Sequence, residues 1–309
     1  MPIKVILNAQ SKNGSDRHLV STLKERLASL LVGIERTSCR EQAIDSARRA
    51  ANAGVDTIVA VGGDGTVNGV INAIAGTDVA LGIVPTGTAN DLASHYAIPK
   101  KVSEACDTIL ERRVRRADLI SVNGWYYGTA GGLGLPCKIA EIANDLKRQN
   151  AGKRMRLKLG SIIYVLAATS ALARGRHPRN LLTIRWDNRS FVTDAVALMV
   201  NNQAFAGKRF FLSPGALNDD GAFDVCLIER PESRAQILFI ALKSLFGRHV
   251  DSPHVKSWRA SELVVEAEEP ATFFGDGELF DRTCDFRIKI VPRALSILTP
   301  ERRLSKRDV

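Results

Sequence analysis

The glycine-rich stretch VAVGGDGTVN places one acidic side chain, Asp64, where phosphate chemistry could take place. An apolar run precedes the glycines, which let backbone N–H groups approach an anion, and Thr66 opens an amphipathic run that predicts a helix start. Asp64 would repel a bare phosphate, but a magnesium ion bound between the carboxylate and the phosphates removes that repulsion. The alternative is an ordinary strand–helix turn in which Asp64 caps the helix.

Two other loops carry small, hydroxyl and amide residues after an apolar run. Their donors are Thr86, Gly87, Thr88, Asn90 and Asp91 in IVPTGTANDLA, and Asn8, Ser11, Lys12 and Gly14 in NAQSKNGS. Asn90 and Asp91 could cap the helix that follows, or they could contact a nucleotide or a metal. Three donor-rich loops at one edge of a sheet would suit a triphosphate, so we expect a nucleotide there.

A further pair of carboxylates, Asp276 and Glu278, flanks Gly277 in the stretch ATFFGDGE. Phosphoryl transfer from ATP to an alcohol needs aligned phosphates, a metal ion and a base that takes the hydroxyl proton. A carboxylate in a turn beside a strand end could be that base. The alternative is a hairpin turn, in which Asp-Gly is a frequent pair. The stretch NDDG at 218–221 is equally ambiguous between a cation site and a solvated turn.

The elements that must position these residues change along the chain. In the first third, apolar runs at 3–7, 32–36, 57–61 and 79–84 alternate with helical patterns at about 16–31, 41–53, 66–74 and 89–94. This alternation predicts βαβ units and a parallel sheet covered on both faces. Because ligands of such sheets bind at the carboxyl ends of the strands, the loops 8–14, 62–65 and 85–91 should lie along one edge.

After about residue 115 the pattern becomes one of strands in series. Asn123-Gly124 predicts a hairpin turn, and helical patterns cover about 137–148, 158–174 and 234–246. The strand-like runs are LLTIRW, VALMVNN, FDVCLIE, ELVVEAE, ATFFGD and CDFRIKIV. We therefore predict an α/β domain at 1–122, to which about 290–305 returns, and a mainly antiparallel β-sandwich at 123–290.

The chain's composition restricts its partners and its location. A net charge of +10 and a pI near 9.6 imply an anionic partner: nucleic acid, a membrane surface or a phosphorylated small molecule. The five cysteines are scattered, which argues against a zinc site or a disulfide framework and fits the cytoplasm. The longest uncharged run, at 159–173, is too short for a transmembrane helix, which needs roughly 20 residues.

Nine lysines and arginines and no acidic residue occupy positions 147–179, around that apolar run. Basic residues around an apolar helix suit a peripheral protein that binds anionic lipid. The alternative is a buried core helix with solvated ends. Nucleic acid is not expected, because Tyr164 is the one aromatic residue of the segment and no nucleic-acid motif is present.

Five motifs in order resemble those of the diacylglycerol kinase catalytic-domain family, which also contains the sphingoid and ceramide kinases. GGDGTVN at 62–68 and PTGTAND at 85–91 resemble its nucleotide loops, and GTAGGLG at 128–134 is similar to the opening of its second domain. SPGALNDDGAFDV at 213–225 resembles a segment that binds structural magnesium in bacterial members. GDGE at 275–278 resembles the catalytic-base motif.

This resemblance implies roles for individual residues. The residues implied to contact ATP are Thr37, Gly62, Gly63, Asp64, Gly65, Thr66, Val67, Asn68 and Thr88, together with the loop 8–14. Glu278 would accept the proton, with Asp276 beside it, and Asp64 would hold the catalytic Mg²⁺. A structural Mg²⁺ would bind the Asp220 carboxylate and the carbonyls of Leu217 and Ala222. Ala9 replaces the family's usual proline, which loosens that loop but leaves its donors.

The fold implied is an NAD kinase/diacylglycerol kinase-like α/β domain that binds ATP, followed by a β-rich domain that binds a lipid. The predicted function is Mg²⁺-dependent transfer of phosphate from ATP to the hydroxyl of a lipid such as diacylglycerol, in phospholipid metabolism. The alternatives are a kinase of a soluble acceptor, as in NAD kinases, and a nucleotide-binding regulator without catalysis. We expect an anionic membrane surface as partner and a cytoplasmic, membrane-peripheral location, and a homodimer is left open.

Overall fold

The computed structural model describes residues 2–10, 17–151, 166–167, 170–171, 180–206 and 210–301. The chain divides into two compact units, Met1–Ala117 with Arg293–Val309, and Asp118–Pro292. These breaks lie close to the predicted domain limits at 122 and 290, which themselves stay a prediction. Ser11, Lys12 and Gly14 lie outside the described residues, as do most of the predicted helix at 158–174 and most of the basic segment 147–179.

The first unit contains the parallel sheet that the sequence predicts. Its strands are β1 (Ile3–Asn8), β2 (Leu31–Thr37), β3 (Thr57–Gly62) and β4 (Ala80–Pro85), and its helices are α1 (Arg17–Leu27), α2 (Arg40–Asn52), α3 (Asp64–Ile74), α4 (Asp91–His95) and α5 (Val102–Glu111). The strands pair in parallel in the order β2-β1-β3-β4. Every residue of β3 and β4 is buried, as expected of strands covered on both faces.

Two strands cross the boundary between the units, β5 (Val114–Val122) and β17 (Thr283–Leu298). The end of β17 adds a fifth parallel strand to the first unit, because Ser296 and Ile297 pair with Ala80 and Leu81 of β4. On one face of this sheet α1 and α5 join the strands in a single apolar cluster, to which Leu23 and Ile109 contribute.

The second unit is mainly antiparallel, which confirms the predicted β-rich domain. Between β5 and β17 it contains β6 (Trp125–Tyr127), β7 (Ala130–Gly134), β8 (Leu181–Trp186), β9 (Arg189–Asn201), β10 (Phe205–Ala206), β11 (Phe210–Phe211), β12 (Phe223–Glu229), β13 (Val255–Ala260), β14 (Glu262–Ala271), β15 (Phe273–Gly275) and β16 (Glu278–Leu279), with the helices α6 (Leu135–Ala151) and α7 (Arg234–Lys243). Its pairing order is β16-β15-β7-β9-β8-β14-β17, and β12 pairs with both β9 and β13. Tyr127, Phe223, Phe273 and Phe286 lie in its core.

Some predicted element limits are wrong. The first helix ends at Leu27, where a 3₁₀ turn over Ala28–Leu30 leads into β2. The predicted helix at 89–94 begins instead at Asp91, because Asn90 has a left-handed φ of 52°. Helix α5 and strand β13 are present in addition to the predicted elements. No helix among the described residues is long and apolar enough to span a membrane.

Candidate functional site

The carboxyl ends of the first unit's strands bring the predicted nucleotide loops together. Asn8 pairs with Thr37 across β1 and β2, and Gly62 pairs with Pro85 across β3 and β4. The amide of Asn8 donates to the hydroxyl of Thr66, with 3.2 Å between Nδ2 and Oγ1, so the first loop also contacts the start of α3. The edge predicted from the strand pattern therefore exists in the structure.

The loops after β3 and β4 touch through their glycines. A Cβ added to Gly87 would lie 2.4 Å from the Cα of Gly63, and one added to Gly62 would lie 2.3 Å from Oγ1 of Thr66. A side chain at Gly87 would separate the two loops, and one at Gly62 would displace the side chain of Thr66. The N–H of Thr86 donates to the carbonyl of Gly62, with an N···O distance of 2.9 Å. The glycines thus have a packing role in addition to the predicted access for phosphate.

Asp64 lies in helix α3 and not in the middle of a loop, which corrects the sequence interpretation of the turn. Gly63 is the N-cap of α3 and Asp64 is its first residue. The Asp64 carboxylate caps a different helix: Oδ2 accepts from the N–H of Asn90 at 2.9 Å, and Oδ1 accepts from the N–H of Asp91 at 2.7 Å. One half-buried carboxylate thus joins the starts of α3 and α4.

Asn90 is held in its left-handed conformation from both sides. Its side-chain oxygen accepts from the N–H of Gly87 at 3.0 Å, and its amide donates to the Gly87 carbonyl at 3.0 Å. These bonds close the turn 87–90 so that it presents two successive N–H groups to Asp64. The position of Asp64 is therefore fixed by backbone groups more than twenty residues away.

Not all the residues predicted to contact ATP are accessible in the same way. Gly87 and Thr88 are exposed, and Gly63, Asp64 and Gly65 are half-buried. By contrast, Thr37, Thr66, Val67 and Asn68 are buried. The Asn68 side chain accepts a hydrogen bond from Nη2 of Arg40 at 2.8 Å, so it positions the guanidinium of Arg40. The Thr86 hydroxyl is buried and has no hydrogen-bond partner among the described residues.

In the second unit, Asp276 and Gly277 form the two-residue turn between β15 and β16. Gly275 pairs with Glu278, and both turn residues have positive φ, 54° for Asp276 and 83° for Gly277. This geometry is that of the tight hairpin turn that favours Asp-Gly. The backbone at Asp276 and Gly277 is therefore the hairpin turn that Asp-Gly favours. This conformation does not decide the role of Glu278.

The Asp276 carboxylate binds the loop between β6 and β7, and most of its acceptor positions are used there. Oδ1 accepts from the N–H of Thr129 at 2.9 Å and from its hydroxyl at 2.6 Å, and Oδ2 accepts from the N–H of Gly128 at 3.1 Å. The carbonyl of Gly277 accepts from the Asn144 side chain at 3.2 Å. The bonds to Asp276 give it a positioning role. The expectation that Asp276 is a catalytic residue together with Glu278 stays a prediction.

The glycines of GTAGGLG allow close approach of three strands. A Cβ on Gly131 would lie 2.7 Å from the carbonyl oxygen of Phe274, and one on Gly132 would lie 2.2 Å from that of Leu198. Buried Tyr127 donates to the carbonyl of Val200 at 3.0 Å, and burial raises the pKa of its hydroxyl well above the usual value. The base of the Asp276–Glu278 hairpin is therefore rigid.

At the predicted structural magnesium site, the Asp220 carboxylate is paired with an arginine. Nη2 of Arg259 donates to Oδ2 of Asp220, and Oδ1 of Asp220 accepts from the N–H of Ala222 at 3.2 Å. The Leu217 side chain is exposed. Because the guanidinium already supplies positive charge to this carboxylate, the residues present fit an ion pair better than a magnesium ion. The assignment of Leu217, Asp220 and Ala222 stays a prediction.

Asp118, which the sequence motifs did not indicate, binds the same loop at Asn218 and Gly221. Its side chain is only 1% exposed, and Oδ2 accepts from the N–H of Gly221 at 2.7 Å. Its own N–H donates to the carbonyl of Asn218, also at 2.7 Å. An acid inside the apolar run ADLISV is the signal that could have identified it, because buried carboxylates in strands are rare without partners.

Asp64 remains chemically suited to a magnesium ion. A carboxylate has about four lone-pair positions, and backbone N–H groups take two of those on Asp64. Magnesium binds one or two carboxylates and completes its shell with phosphate oxygens and water. Among the described residues no group of three or more acidic, histidine or cysteine side chains could form an all-protein metal cage. The chemistry of the Asp64 carboxylate fits a magnesium ion that takes its remaining ligands from elsewhere.

Two protein families match successive parts of the chain. Residues 2–122 match the family described as diacylglycerol kinase catalytic domain. Residues 142–299 match the family described as YegS C-terminal NAD kinase beta sandwich-like domain. The matches confirm the resemblance that the five motifs indicate.

Relatives of known name cover most of the chain. It is 30% identical over 266 residues to a Cronobacter sakazakii protein named "Probable lipid kinase YegS-like", covering 83% of both. It is 28% identical over 266 residues to the diacylglycerol kinase of Bacillus subtilis, covering 85% of this chain and 84% of the other.

Solved structures show the same fold. A diacylglycerol kinase structure from Bacillus anthracis aligns with a TM-score of 0.75 at 21% identity, over 97% of each chain. An NAD kinase from Archaeoglobus fulgidus in complex with ATP aligns with a TM-score of 0.52 at 15% identity, over 97% of this chain and 95% of that one. The predicted fold class, an α/β domain followed by an antiparallel β domain, is confirmed.

Proposed function

The chain belongs to the diacylglycerol kinase catalytic-domain family, and on that premise we propose that it transfers the γ-phosphate of ATP to the hydroxyl group of a lipid. Family membership makes it a phosphotransferase with an alcohol group as acceptor. ATP as donor, magnesium dependence and a lipid such as diacylglycerol as acceptor are the parts that we propose. The first unit would bind the nucleotide and the second unit the lipid.

One observation supports the nucleotide site above all others: Asp64 joins the loops after β3 and β4 by accepting two backbone N–H groups. This places a negative charge at the N-terminal end of α3, which attracts anions through the helix dipole. The combination suits a metal–phosphate pair, because the helix start favours the phosphate and the carboxylate favours the metal. The buried hydroxyl of Thr86 is a further donor at this edge.

In this proposal Asp64 holds Mg²⁺, which would neutralise charge on the phosphates of ATP. The residues of the chain do the rest of the work at the nucleotide. Thr88 and the backbone of Gly87 are exposed at the edge and would donate to phosphate oxygens. The contact between Gly63 and Gly87 holds the two loops at a fixed separation, so that the phosphates are aligned without reorganisation.

Glu278 would act as the base. It follows the Asp276-Gly277 turn at the start of β16, and the turn is fixed by the bonds from Gly128 and Thr129 to Asp276. A carboxylate held in this way can take the hydroxyl proton of the acceptor as the new P–O bond forms. Asp276 would contribute by orienting the turn, since its own oxygens already accept three donors.

The test is transfer of radiolabelled phosphate from ATP to lipid in mixed micelles, with diacylglycerol, a sphingoid base and phosphatidylglycerol as separate acceptors. We expect a labelled product in the organic phase that requires Mg²⁺. Labelled NADP formed from NAD in the aqueous phase would support a soluble acceptor instead. Binding of ATP without label on any lipid of a total extract would contradict catalysis and favour a regulator.

A further inference from the structure

The second unit exposes a cluster of large apolar side chains around α7. Five of the fourteen large apolar residues that are exposed in the described part of the chain lie between residues 238 and 250. We call them the α7 surface: Leu238, Phe239, Leu242, Phe246 and Val250. Two are aromatic and well exposed, Phe239 at 58% and Phe246 at 75%. Clustered exposure of this kind marks an interaction surface, whereas single exposed apolar residues do not.

Helix α7 is apolar on two opposite faces. Ile237 and Ile240 are buried and pack it onto the unit. Leu238, Leu242 and Phe239 fall on the other face, within an arc about 100° wide when each residue turns the helix by roughly 100°. One apolar face is explained by the protein core. The other face is exposed among the described residues, and an apolar face of this kind is suited to an interaction.

The segment is built to hold these side chains in place. A capping box fixes the start of α7, because the side chains of Ser233 and Gln236 exchange hydrogen bonds with each other's backbone. At the far end the chain turns at Gly247, with a φ of 69°. A Cβ there would lie 2.5 Å from the ring of Phe211, so the turn that follows Phe246 is packed tightly.

Basic residues lie within the segment that carries the α7 surface. Arg234, Lys243 and Arg248 fall at positions 234–250, which contain no acidic residue, and the exposed acids Glu232 and Asp251 flank this segment. By helical rotation Arg234 and Lys243 fall on the two opposite edges of the exposed apolar arc. The Lys243 ammonium lies 4.7 Å from the centroid of the Phe239 ring, so its chain follows the apolar surface while its charge stays at the edge.

We propose that the α7 surface docks on an anionic phospholipid bilayer, with Phe239, Leu242 and Phe246 in the headgroup region and the basic residues on lipid phosphates. An apolar strip with basic edges is typical of helices that lie in the membrane interface. A second copy of the chain is a poorer partner, because pairing two such surfaces would bring together equal positive charges in a protein of net charge +10. The proposal rests on the proposed function, since a lipid acceptor has to be reached in a bilayer.

The test is co-sedimentation of the full chain with vesicles of equimolar phosphatidylglycerol and phosphatidylcholine, compared with phosphatidylcholine alone. The variant Phe239→Asn/Phe246→Asn should lower partitioning onto anionic vesicles by roughly tenfold or more, because two exposed aromatic rings are lost from the interface. The matched control Val32→Ser/Val192→Ser removes exposed apolar side chains elsewhere and should bind as the wild type does. Their exposures, 62% and 60%, make folding equally tolerant of the change.

A charge variant gives the second arm. Arg234→Gln/Lys243→Gln/Arg248→Gln should weaken binding and reduce its dependence on salt, whereas Arg48→Gln/Lys100→Gln/Lys289→Gln, with the same change in net charge, should have a much smaller effect. Equal binding of the aromatic variant and the wild type would overturn the proposal. So would a wild-type dimer that becomes a monomer in that variant while vesicle binding is unchanged.

Failure of docking and failure of the proposed function can be told apart. Phosphorylation of a short-chain diacylglycerol dissolved as monomers should be unchanged in the aromatic variant, because the α7 surface takes no part in the chemistry. Vesicle binding through the α7 surface without phosphorylation of any lipid would retain the docking surface and reject the kinase. If the protein phosphorylated the soluble lipid but bound vesicles equally well with and without Phe239 and Phe246, the kinase would be retained and the docking surface rejected.

Discussion

The tripeptide Gly-Asp-Gly occurs at 63–65 and again at 275–277, and the two copies fold differently. In the first, Asp64 begins a helix and its carboxylate accepts N–H groups of Asn90 and Asp91. In the second, Asp276 lies in a hairpin turn with a φ of 54°, and its carboxylate accepts donors from Gly128 and Thr129. Both aspartates join distant segments, yet we assign metal chemistry to one of them alone.

The difference teaches that flanking periodicity sets the local structure. The residues after Asp64 repeat at the helical period, with Val67, Val70, Ile71 and Ile74 buried. The residues around Asp276 belong to two short antiparallel strands. The glycines also act differently in the two copies. A Cβ on Gly63 would meet the backbone of Gly87, whereas one on Gly275 would meet the rings of Tyr127 and Phe280, and Gly277 provides the positive φ of the turn.

The largest expected effect is that of Asp64→Asn. Asparagine keeps one acceptor oxygen for the start of α4 but loses the charge that we propose holds magnesium. We expect kcat to fall by about 10³-fold or more, and Tm by only a few degrees. Steady-state kinetics and thermal unfolding measure the two. A kcat within about tenfold of the wild type would make Asp64 a cap and remove the functional contrast with Asp276.

Glu278→Gln should come next, with a fall in kcat of about 10²- to 10⁴-fold, because a general base is lost. Stability should not change, since Glu278 is only partly buried at a strand start. The conservative control Glu278→Asp should retain part of the rate. If Glu278→Gln kept full activity while Asp276→Asn lost it, the assignment of base and positioning residue would have to be exchanged.

Asp276→Ala should lower the stability of the protein more than it lowers the catalytic rate. It removes the acceptor of three donors, so we expect the free energy of unfolding to fall by about 1–3 kcal/mol. All three tryptophans, Trp125, Trp186 and Trp258, lie in the second unit, so fluorescence in a urea titration reports on that unit.

Thr129→Val is the matched control for Asp276→Ala, since it removes a single hydroxyl donor and should lower the free energy of unfolding by about 0.5–1.5 kcal/mol. A fall for Asp276→Ala no larger than that of Thr129→Val would show that the backbone bonds from Gly128 and Thr129 contribute little. The positioning role of Asp276 would then be lost.

The smallest effect concerns a third Asp-Gly pair, Asp220-Gly221, whose carboxylate is paired with Arg259. Without nucleotide, Mg²⁺ should leave the Tm of the wild type unchanged, because the guanidinium already compensates the charge. In Arg259→Gln we expect Mg²⁺ to raise the Tm by a few degrees, since an uncompensated carboxylate can then bind the ion. A rise of equal size in the wild type would restore the structural magnesium site at Leu217, Asp220 and Ala222.

Much of the fold follows from local pattern. Buried apolar runs identify β1, β3 and β4, and from these the parallel sheet and its loop edge can be predicted. Helix α5 also has a local signal that the predicted elements left unused, because Val102, Ala105, Cys106 and Ile109 follow the helical period. The strand β13 is harder to predict, since half of VKSWRA is polar or charged.

The site is less predictable, because its geometry depends on contacts between segments far apart in sequence. The partner of Asp64 is the backbone at Asn90 and Asp91, and backbone groups leave no mark in a sequence. The pair of Asp220 with Arg259 lies beside the pairing of β12 with β13, and the contact of Asp118 with Gly221 joins segments that are far apart in sequence. Residue types could indicate phosphate chemistry, but not which aspartate holds a loop and which holds an ion.

Strand β17 is the last element of the described chain, yet it belongs to the sheet of the first unit, since Ser296 and Ile297 pair in parallel with β4. During synthesis on the ribosome, β4 must therefore lack this neighbour until residues 296 and 297 have emerged. A chain cut short before residue 293 would lack that strand, so the sheet of the first unit depends on residues that are translated long after its other strands.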